Sequence, residues 1–306
     1  NGRLGMLSDG GIQEQIITLC ESSMWSGSID STAWNNEAVK HLPTIRQLLL
    51  TGKPKEAEDL MYRTFVCGGQ GSGRGNGANV PYGSYQVGGF LRLNWGKSPF
   101  PSHYRRSLSL SEGVSEESFE VGAQPYRSKR LYSALGKEVQ VVSLTNHSTE
   151  AKQDTLRLSL TRPENGQCTI GAGYLTLAGQ LPDGRQGKGL RYAIVVRPVL
   201  PQGGKLIARD NELLIVDAPV INLYIAHNTN YYNKRSPLIA LGVEQLIQAE
   251  AWGEEKLYQE HVHQFSSQMD RVRVHLGSRD VPQASLPIDR RLSTYHEHPE
   301  SDPALA

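Results

Sequence analysis

Apolar and polar residues alternate over most of the chain before residue 232. A spacing of two is typical of a strand with one buried face. Residues 16–27 add an apolar run that leads through Glu21 and Trp25 into a serine-glycine turn. This stretch predicts a core strand followed by a surface turn. The clearest alternation lies between residues 85 and 95, where one side of the pattern holds Tyr85, Val87, Leu91, Leu93 and Trp95.

The alternation recurs in short stretches that are separated by turn residues. Turn sequences such as Glu164-Asn165-Gly166 and Pro182-Asp183-Gly184 end one stretch before the next begins. Because most of these stretches have no helix between them, residues 1–232 are predicted to form a mainly β domain, a large antiparallel β-sandwich (supersandwich). Strands are predicted at residues 104–110, 118–122, 126–133, 139–145, 155–161, 174–178, 190–196, 205–208, 212–216 and 220–226.

Two segments have helical spacing instead. Residues 36–66 predict a small inserted helix pair that packs on a sheet, with Pro43 and Pro54 suited to the first turns of its helices. Residues 233–306 predict a C-terminal helical linker, with helices at 238–252 and 254–269. The last residues resemble the first turn of another helix, so we expect the natural chain to continue.

Composition and charge exclude several classes of partner. The 32 basic and 31 acidic residues give a net charge of +1 and form no basic cluster, which argues against a nucleic-acid partner. No run approaches the roughly 20 apolar residues that span a membrane, so no membrane partner is expected. The 3 cysteines are widely spaced and indicate neither a disulfide framework nor a CxxC metal site.

Motifs for cofactors and catalysis are weak. Residues 73–78 satisfy G-x-G-x-x-A, but a helix precedes them where a dinucleotide site needs a strand. His296 and His298 flank Glu297, yet no further ligand cluster supports a metal site. The sequence therefore predicts no cofactor and no metal, and spacing alone identifies no catalytic residues.

Glu21, Trp25 and Trp34 are the candidates for substrate binding. A tryptophan face stacks on the C–H groups of a sugar ring, and a carboxylate accepts hydrogen bonds from its hydroxyl groups. On this stretch alone, a structural interpretation is favoured over sugar binding. In that case Trp25 closes one end of the core and Glu21 lies in solvent.

Short motifs along nearly the whole chain occur in the order found in one enzyme family. They are Asn1-Gly2-Arg3-Leu4-Gly5, Leu19-Cys20-Glu21, Met24-Trp25-Ser26-Gly27, Leu42-Pro43-Thr44-Ile45-Arg46, Glu56-Ala57-Glu58, Tyr85-Gln86, Gly89-Phe90-Leu91, Tyr104-Arg105-Arg106, Leu108-Ser109-Leu110, Gly189-Leu190-Arg191-Tyr192, His261, Arg271-Val272 and Leu286-Pro287-Ile288-Asp289. The ordered set resembles the family-95 glycoside hydrolases, whose founding activity is 1,2-α-L-fucosidase. The chain departs from the family pattern at Cys20, Phe90, Ser109, Ile288 and Arg290.

The resemblance implies a β-sandwich and a helical linker that lead into an (α/α)6 barrel. In the family, exo-acting hydrolysis of fucosylated glycans proceeds with inversion, and the catalytic residues lie in the barrel. It therefore implies that no catalytic residue lies in this chain, which would be structural and would have that barrel and a glycan as partners. It also implies a periplasmic or secreted protein. A stand-alone carbohydrate-binding β-sandwich module is the alternative, since exposed aromatic residues on such a domain could bind sugars.

Overall fold

Two antiparallel sheets lie face to face in a computed structural model, which describes residues 1–306 except 32–33, 70, 72–74, 98, 172, 235–236, 275–281, 300–301, 303–304 and 306. The mainly β sandwich predicted from the alternation is confirmed. The first sheet contains, in spatial order, β1 (Leu4–Ser8), β2 (Glu14–Glu21), β3 (Gly89–Asn94), β8 (Leu156–Thr161), β13 (Glu212–Val216) and β12 (Lys205–Arg209). The second contains β4 (Ser102–Ser109), β5 (Val114–Val121), β6 (Gln124–Ser133), β7 (Gln140–Asn146), β14 (Val220–Thr229), β11 (Lys188–Val199), β10 (Tyr174–Pro182) and β9 (Gly166–Gly171).

The main core lies between the sheets and is built from the inward side of each strand. In β2, buried and half-buried positions alternate along the whole strand, as the spacing of two requires. Each large aliphatic side chain that leaves water in this way contributes about 1.5 to 3 kcal/mol. The fully buried members include Ile17, Leu19, Leu91, Leu93, Leu158, Ile194, Leu223 and Ile225.

Two helices cover part of the outer face of the eight-stranded sheet. They are α4 (Leu238–Trp252) and α5 (Glu254–Met269), and both were predicted from helical spacing. Leu246 and Leu257 pack there with Tyr132 and Tyr224 of the sheet in a second hydrophobic cluster. A Cβ atom at Gly242 would lie 2.8 Å from a Val195 methyl carbon, so glycine permits the close approach of α4. The predicted linker is therefore packed on the sandwich.

The inserted helix pair has mostly internal packing. It consists of a 3-10 turn (Ala38–His41), α1 (Leu42–Leu50) and α2 (Pro54–Thr64), with prolines in the first turns as predicted. Ile45 and Ala57 are buried between the helices, whereas Leu50 is 84% exposed. The sequence predicts that this pair packs on a sheet, but its main contacts are between its own helices and the 3-10 turn.

Several smaller elements complete the fold. They are α3 (Thr149–Gln153), α6 (Ile288–Glu297) and 3-10 turns at Gly77–Asn79 and Pro282–Ser285. The alternation of Val272, Val274 and Leu276 predicts a short strand, but neither Val272 nor Val274 lies in one, and Leu276 is outside the described residues. Among the described residues, every helix is too short or too polar to cross a membrane.

Candidate functional site

An open cleft of about 960 Å³ lies at the end of the sandwich where β2 and β14 finish. Three loops form it: the turn after β2, the turn between β10 and β11, and the segment after β14. We call it the Trp25 cleft. Its lining residues are Ser22, Ser23, Trp25, Ser26, Gly27, Ser28, Ile29, Asp183, Lys188, Gly189, Leu190, Asn230, Tyr231, Tyr232 and Lys234.

Trp25 is held at the cleft by the backbone and remains 49% exposed. It forms an isolated antiparallel bridge with Tyr85, and their rings meet edge to face at 6.2 Å. The neighbouring Met24 is fully buried in the core. The structural interpretation of Trp25 as a plug of the core is therefore wrong, because Met24 fills that position.

Glu21 lies beneath the cleft with its side chain fully buried. It occupies the last inward position of β2, so the alternation of the strand turns it away from solvent. Arg3 Nε donates to one carboxylate oxygen at 3.1 Å, and the Ser23 amide and hydroxyl donate to the other at 2.7 and 2.6 Å. The Ser23 hydroxyl also lies 2.6 Å from Thr229 Oγ1 on β14.

These contacts place Glu21 in neither location that the sequence suggested. Its oxygens are occupied by protein donors, and solvent does not reach it. The carboxylate fixes the turn that carries Trp25, so it acts on a ligand only through that turn.

Trp34 does not line the Trp25 cleft. It is 79% exposed and lies just before the helix pair. The next residue, Asn35, donates to the carbonyl oxygens of Thr64 and Val66 at the end of α2, both at 3.1 Å. The described structure therefore associates this segment with the helix pair, and the role of Trp34 in substrate binding stays a prediction.

Tyr231 and Tyr232 are site residues that the sequence analysis missed. They follow β14, are 62% and 57% exposed, and their rings meet edge to face at 4.9 Å. The Arg3 guanidinium lies 5.6 Å from the centre of the Tyr232 ring. The signal was available, because two tyrosines among asparagines directly after a buried strand combine aromatic faces with amide groups.

The polar groups of the described cleft residues can bind a ligand but include no hydrolytic pair. Asp183 is the carboxylate among the described lining residues, and it accepts the backbone N–H groups of Arg185 and Gly187 at 2.7 and 2.8 Å. Those hydrogen bonds hold the pKa of Asp183 below its usual value. Glycoside hydrolysis ordinarily uses two carboxyl groups about 5 to 10 Å apart. The lining thus supplies binding groups and not an acid–base pair.

No group of three or more histidine, cysteine, aspartate or glutamate side chains that could hold a metal ion occurs within the described parts of the chain.

Close backbone packing holds the Trp25 turn against the loop before β3. The amides of Ser26 and Ser28 donate to the carbonyls of Ser84 and Pro81 at 3.0 and 2.9 Å. Gly83 has a φ of +74°, and a Cβ atom there would overlap the carbonyl of Ser26.

Gly83→Ala is expected to lower the free energy of unfolding by about 3 kcal/mol, because it combines a left-handed conformation with a backbone collision. Gly52→Ala is the matched control, since Gly52 has a φ of +73° and open space around it. The control should cost only about 1 kcal/mol. Urea unfolding measures both values, and equal losses would contradict the described contact.

The fold and the cleft first define a class: a β-sandwich domain with a polar, aromatic cleft and no hydrolytic pair among its described lining residues. Comparison then identifies the family. The model of the family described as glycosyl hydrolase family 65, N-terminal domain, matches residues 1–234, and the chain belongs to this family. The match is to family 65, so the assignment to family 95 that the motifs suggest stays a prediction.

Two curated relatives are named as fucosidases. The chain is 24% identical to alpha-L-fucosidase 2 of Arabidopsis thaliana over 95% of this chain and 36% of the relative. It is 26% identical to the probable alpha-fucosidase A of Aspergillus niger over 49% of this chain and 18% of the relative. The chain therefore spans about a third of the length of the first of these.

A solved structure described as a putative kojibiose phosphorylase from human microbiome shares 13% identity with the chain. It aligns with a TM-score of 0.38 over 57% of this chain and 25% of its own.

Proposed function

We propose that this chain is the N-terminal β-sandwich and linker of an exo-acting glycoside hydrolase of the α-L-fucosidase kind. Its substrate would be a fucosylated glycan, and hydrolysis would proceed with inversion. Membership in a family of glycosyl hydrolase N-terminal domains supports the general assignment. The names of the two curated relatives support the choice of sugar.

In this proposal the reactive groups belong to further polypeptide, an (α/α)6 barrel as in family 95. The chain spans only 36% of the Arabidopsis relative, which leaves room for such a domain. The lack of a carboxylate pair among the described cleft residues agrees with it. The main role of the sandwich and of α4 and α5 is then structural, and export to the periplasm or outside the cell belongs to the same proposal.

The geometry of the Trp25 cleft is the observation that supports a direct contact between this chain and the glycan. Its exposed rings of Trp25, Tyr231 and Tyr232 offer faces for the C–H groups of sugar rings. The hydroxyls of Ser22 and Ser28 and the amide of Asn230 lie beside them and can exchange hydrogen bonds with sugar hydroxyls.

The same cleft favours a second candidate function, a stand-alone carbohydrate-binding module. The two functions predict different affinities of this chain for a fucosylated oligosaccharide. A module that works alone should bind a fucosylated oligosaccharide by itself with useful affinity, whereas a supporting domain should bind it more weakly than the longer enzyme does. Calorimetric titration of both proteins with one oligosaccharide separates these outcomes.

Trp25→Ala is expected to weaken binding of a fucosylated oligosaccharide about tenfold, because it removes the largest stacking surface of the cleft. Calorimetric titration measures the loss. Tyr62→Ala is the control, since Tyr62 is a 68% exposed ring on α2 away from the cleft, and it should leave affinity unchanged. Trp34→Ala, titrated in parallel, tests whether Trp34 also contributes to binding of the oligosaccharide. If the parent chain and Trp25→Ala bind the oligosaccharide with equal affinity, the Trp25 cleft is not its binding site.

A further inference from the structure

Two lysines project at the rim of the Trp25 cleft. Lys188 begins β11 and Lys234 follows β14, and both are exposed. Neither ammonium group forms an ion pair with a residue in the described part of the chain. The loops of the cleft therefore bring together two cations that are far apart in sequence.

Of three carboxylates in or beside the cleft, two face a cation other than these lysines. The Asp183 oxygen that accepts the Arg185 and Gly187 amides closes its own turn. Glu21 lies below the cleft and pairs with Arg3. Asp30, just past the lining residues, lies 3.9 Å from Arg185. Asp183 stays ionised, because its backbone donors are neutral, so its charge offsets one of the two lysines. The described rim therefore keeps an excess of one positive charge.

The net charge of the whole chain is only +1, so the two lysines of the cleft do not reflect a generally basic surface. A neutral sugar needs ring faces and hydroxyl partners, and the cleft has both. Two ammonium groups beside such a platform add a preference for an anion, because a charge-assisted hydrogen bond is stronger than a neutral one.

We propose that the Trp25 cleft binds a glycan that carries an anionic substituent, a sulfate ester or a uronate carboxylate. Lys188 and Lys234 contact the anionic group while Trp25 and the tyrosines contact the sugar rings. The inference rests on the proposed glycan contact and adds the class of substrate to it.

Three fucosylated oligosaccharides of equal length test the proposal with the 306-residue chain: one neutral, one with a sulfate ester and one with a uronate. Calorimetric titration at low salt should show about fivefold tighter binding of at least one charged ligand than of the neutral one. The charged arm that binds more tightly identifies the anion. The preference should shrink when salt rises from about 0.05 M to about 0.5 M, because exposed charges are screened.

Lys188→Gln/Lys234→Gln should abolish the preference, because it removes both ammonium groups and keeps the aromatic rings of the cleft. Lys205→Gln is the matched control, because Lys205 is an exposed lysine on β12 at the edge of the other sheet, and it should keep the preference.

The outcomes separate this inference from the proposed function. Equal binding of all three ligands, or a preference that survives in the double variant, overturns the inference and leaves the glycan cleft intact. Absence of binding in every arm removes the glycan contact and this inference together.

Discussion

Lys129→Met is expected to lower the free energy of unfolding by about 3 to 5 kcal/mol. Lys129 Nζ lies 2.7 Å from Glu117 Oε2, and the two side chains are 4% and 0% exposed. Removal of the ammonium group leaves a buried carboxylate without a counter-charge. That loss costs more than the ion pair itself contributes, because the carboxylate cannot regain its hydration. Urea unfolding at neutral pH measures the difference.

The neighbours of this pair reduce the loss but do not remove it. Ser8 Oγ donates to Glu117 at 2.7 Å, and Gln15 Nε2 donates to its oxygens at 3.0 and 2.9 Å. These donors are neutral, so they stabilise the carboxylate without cancelling its charge. Burial lowers the pKa of Lys129, and the adjacent Glu117 opposes that shift.

Two variants make the test specific. Lys40 and Glu37 form an ion pair of 2.6 Å with 68% and 71% exposed side chains, so Lys40→Met should cost no more than about 1 kcal/mol. The double variant Lys129→Met/Glu117→Leu should regain much of the loss, because neither charge remains buried. A Lys129→Met cost as small as that of Lys40→Met would contradict the buried pair.

A second large effect is expected at His227, which should lower the free energy of unfolding as the pH falls. This side chain is fully buried, and neither ring nitrogen has a hydrogen-bond partner among the described residues. Burial, followed by the charges of Arg3 and Arg162, lowers the pKa of His227 to about 3. Gly88 packs against the ring so closely that a Cβ atom there would overlap it.

The sign follows from the depressed pKa. His227 must stay neutral in the folded chain but takes up a proton near pH 6.5 when unfolded, so its contribution is complete above that pH and declines as the pH falls towards about 3. Between about pH 7 and about pH 5 the folded state should lose about 2 kcal/mol from this residue. His261, whose pKa burial also lowers, acts in the same direction.

Urea unfolding at the two pH values measures the loss. His227→Leu should reduce the pH dependence by about 2 kcal/mol, because the variant has no group to protonate there. His263→Gln is the control at an exposed position and should keep the dependence of the parent. An unchanged pH dependence in His227→Leu would show that the buried ring does not control acid stability.

Local patterns predicted much of this fold, and long-range pairing accounts for what they missed. The alternation in β2 and β3 identified buried strands because one face of each meets the core. The strand β9 was not predicted, because its residues are mostly exposed and its position depends on pairing with β10. The helix pair has amphipathic spacing, but spacing cannot show which surface its outer apolar residues meet.

The cleft was only partly predictable for the same reason. Trp25 stood out locally, whereas Tyr231 and Tyr232 join it only because β2 and β14 end at the same side of the sandwich. The burial of Glu21 depends on Arg3, which belongs to the neighbouring strand end: Leu4 pairs with Glu21 across β1 and β2. The alternation within β2 places Glu21 on the side of Ile17 and Leu19, but it cannot show that Arg3 supplies the counter-charge.

Incubation of the 306-residue chain with a fucosylated oligosaccharide, with binding and free fucose measured in one sample, tests the central claim most directly. We predict saturable binding that Trp25→Ala weakens, and no fucose beyond a sample without protein. Fucose release that rises with the concentration of repurified chain would contradict the account, because the reactive groups would then lie within these residues.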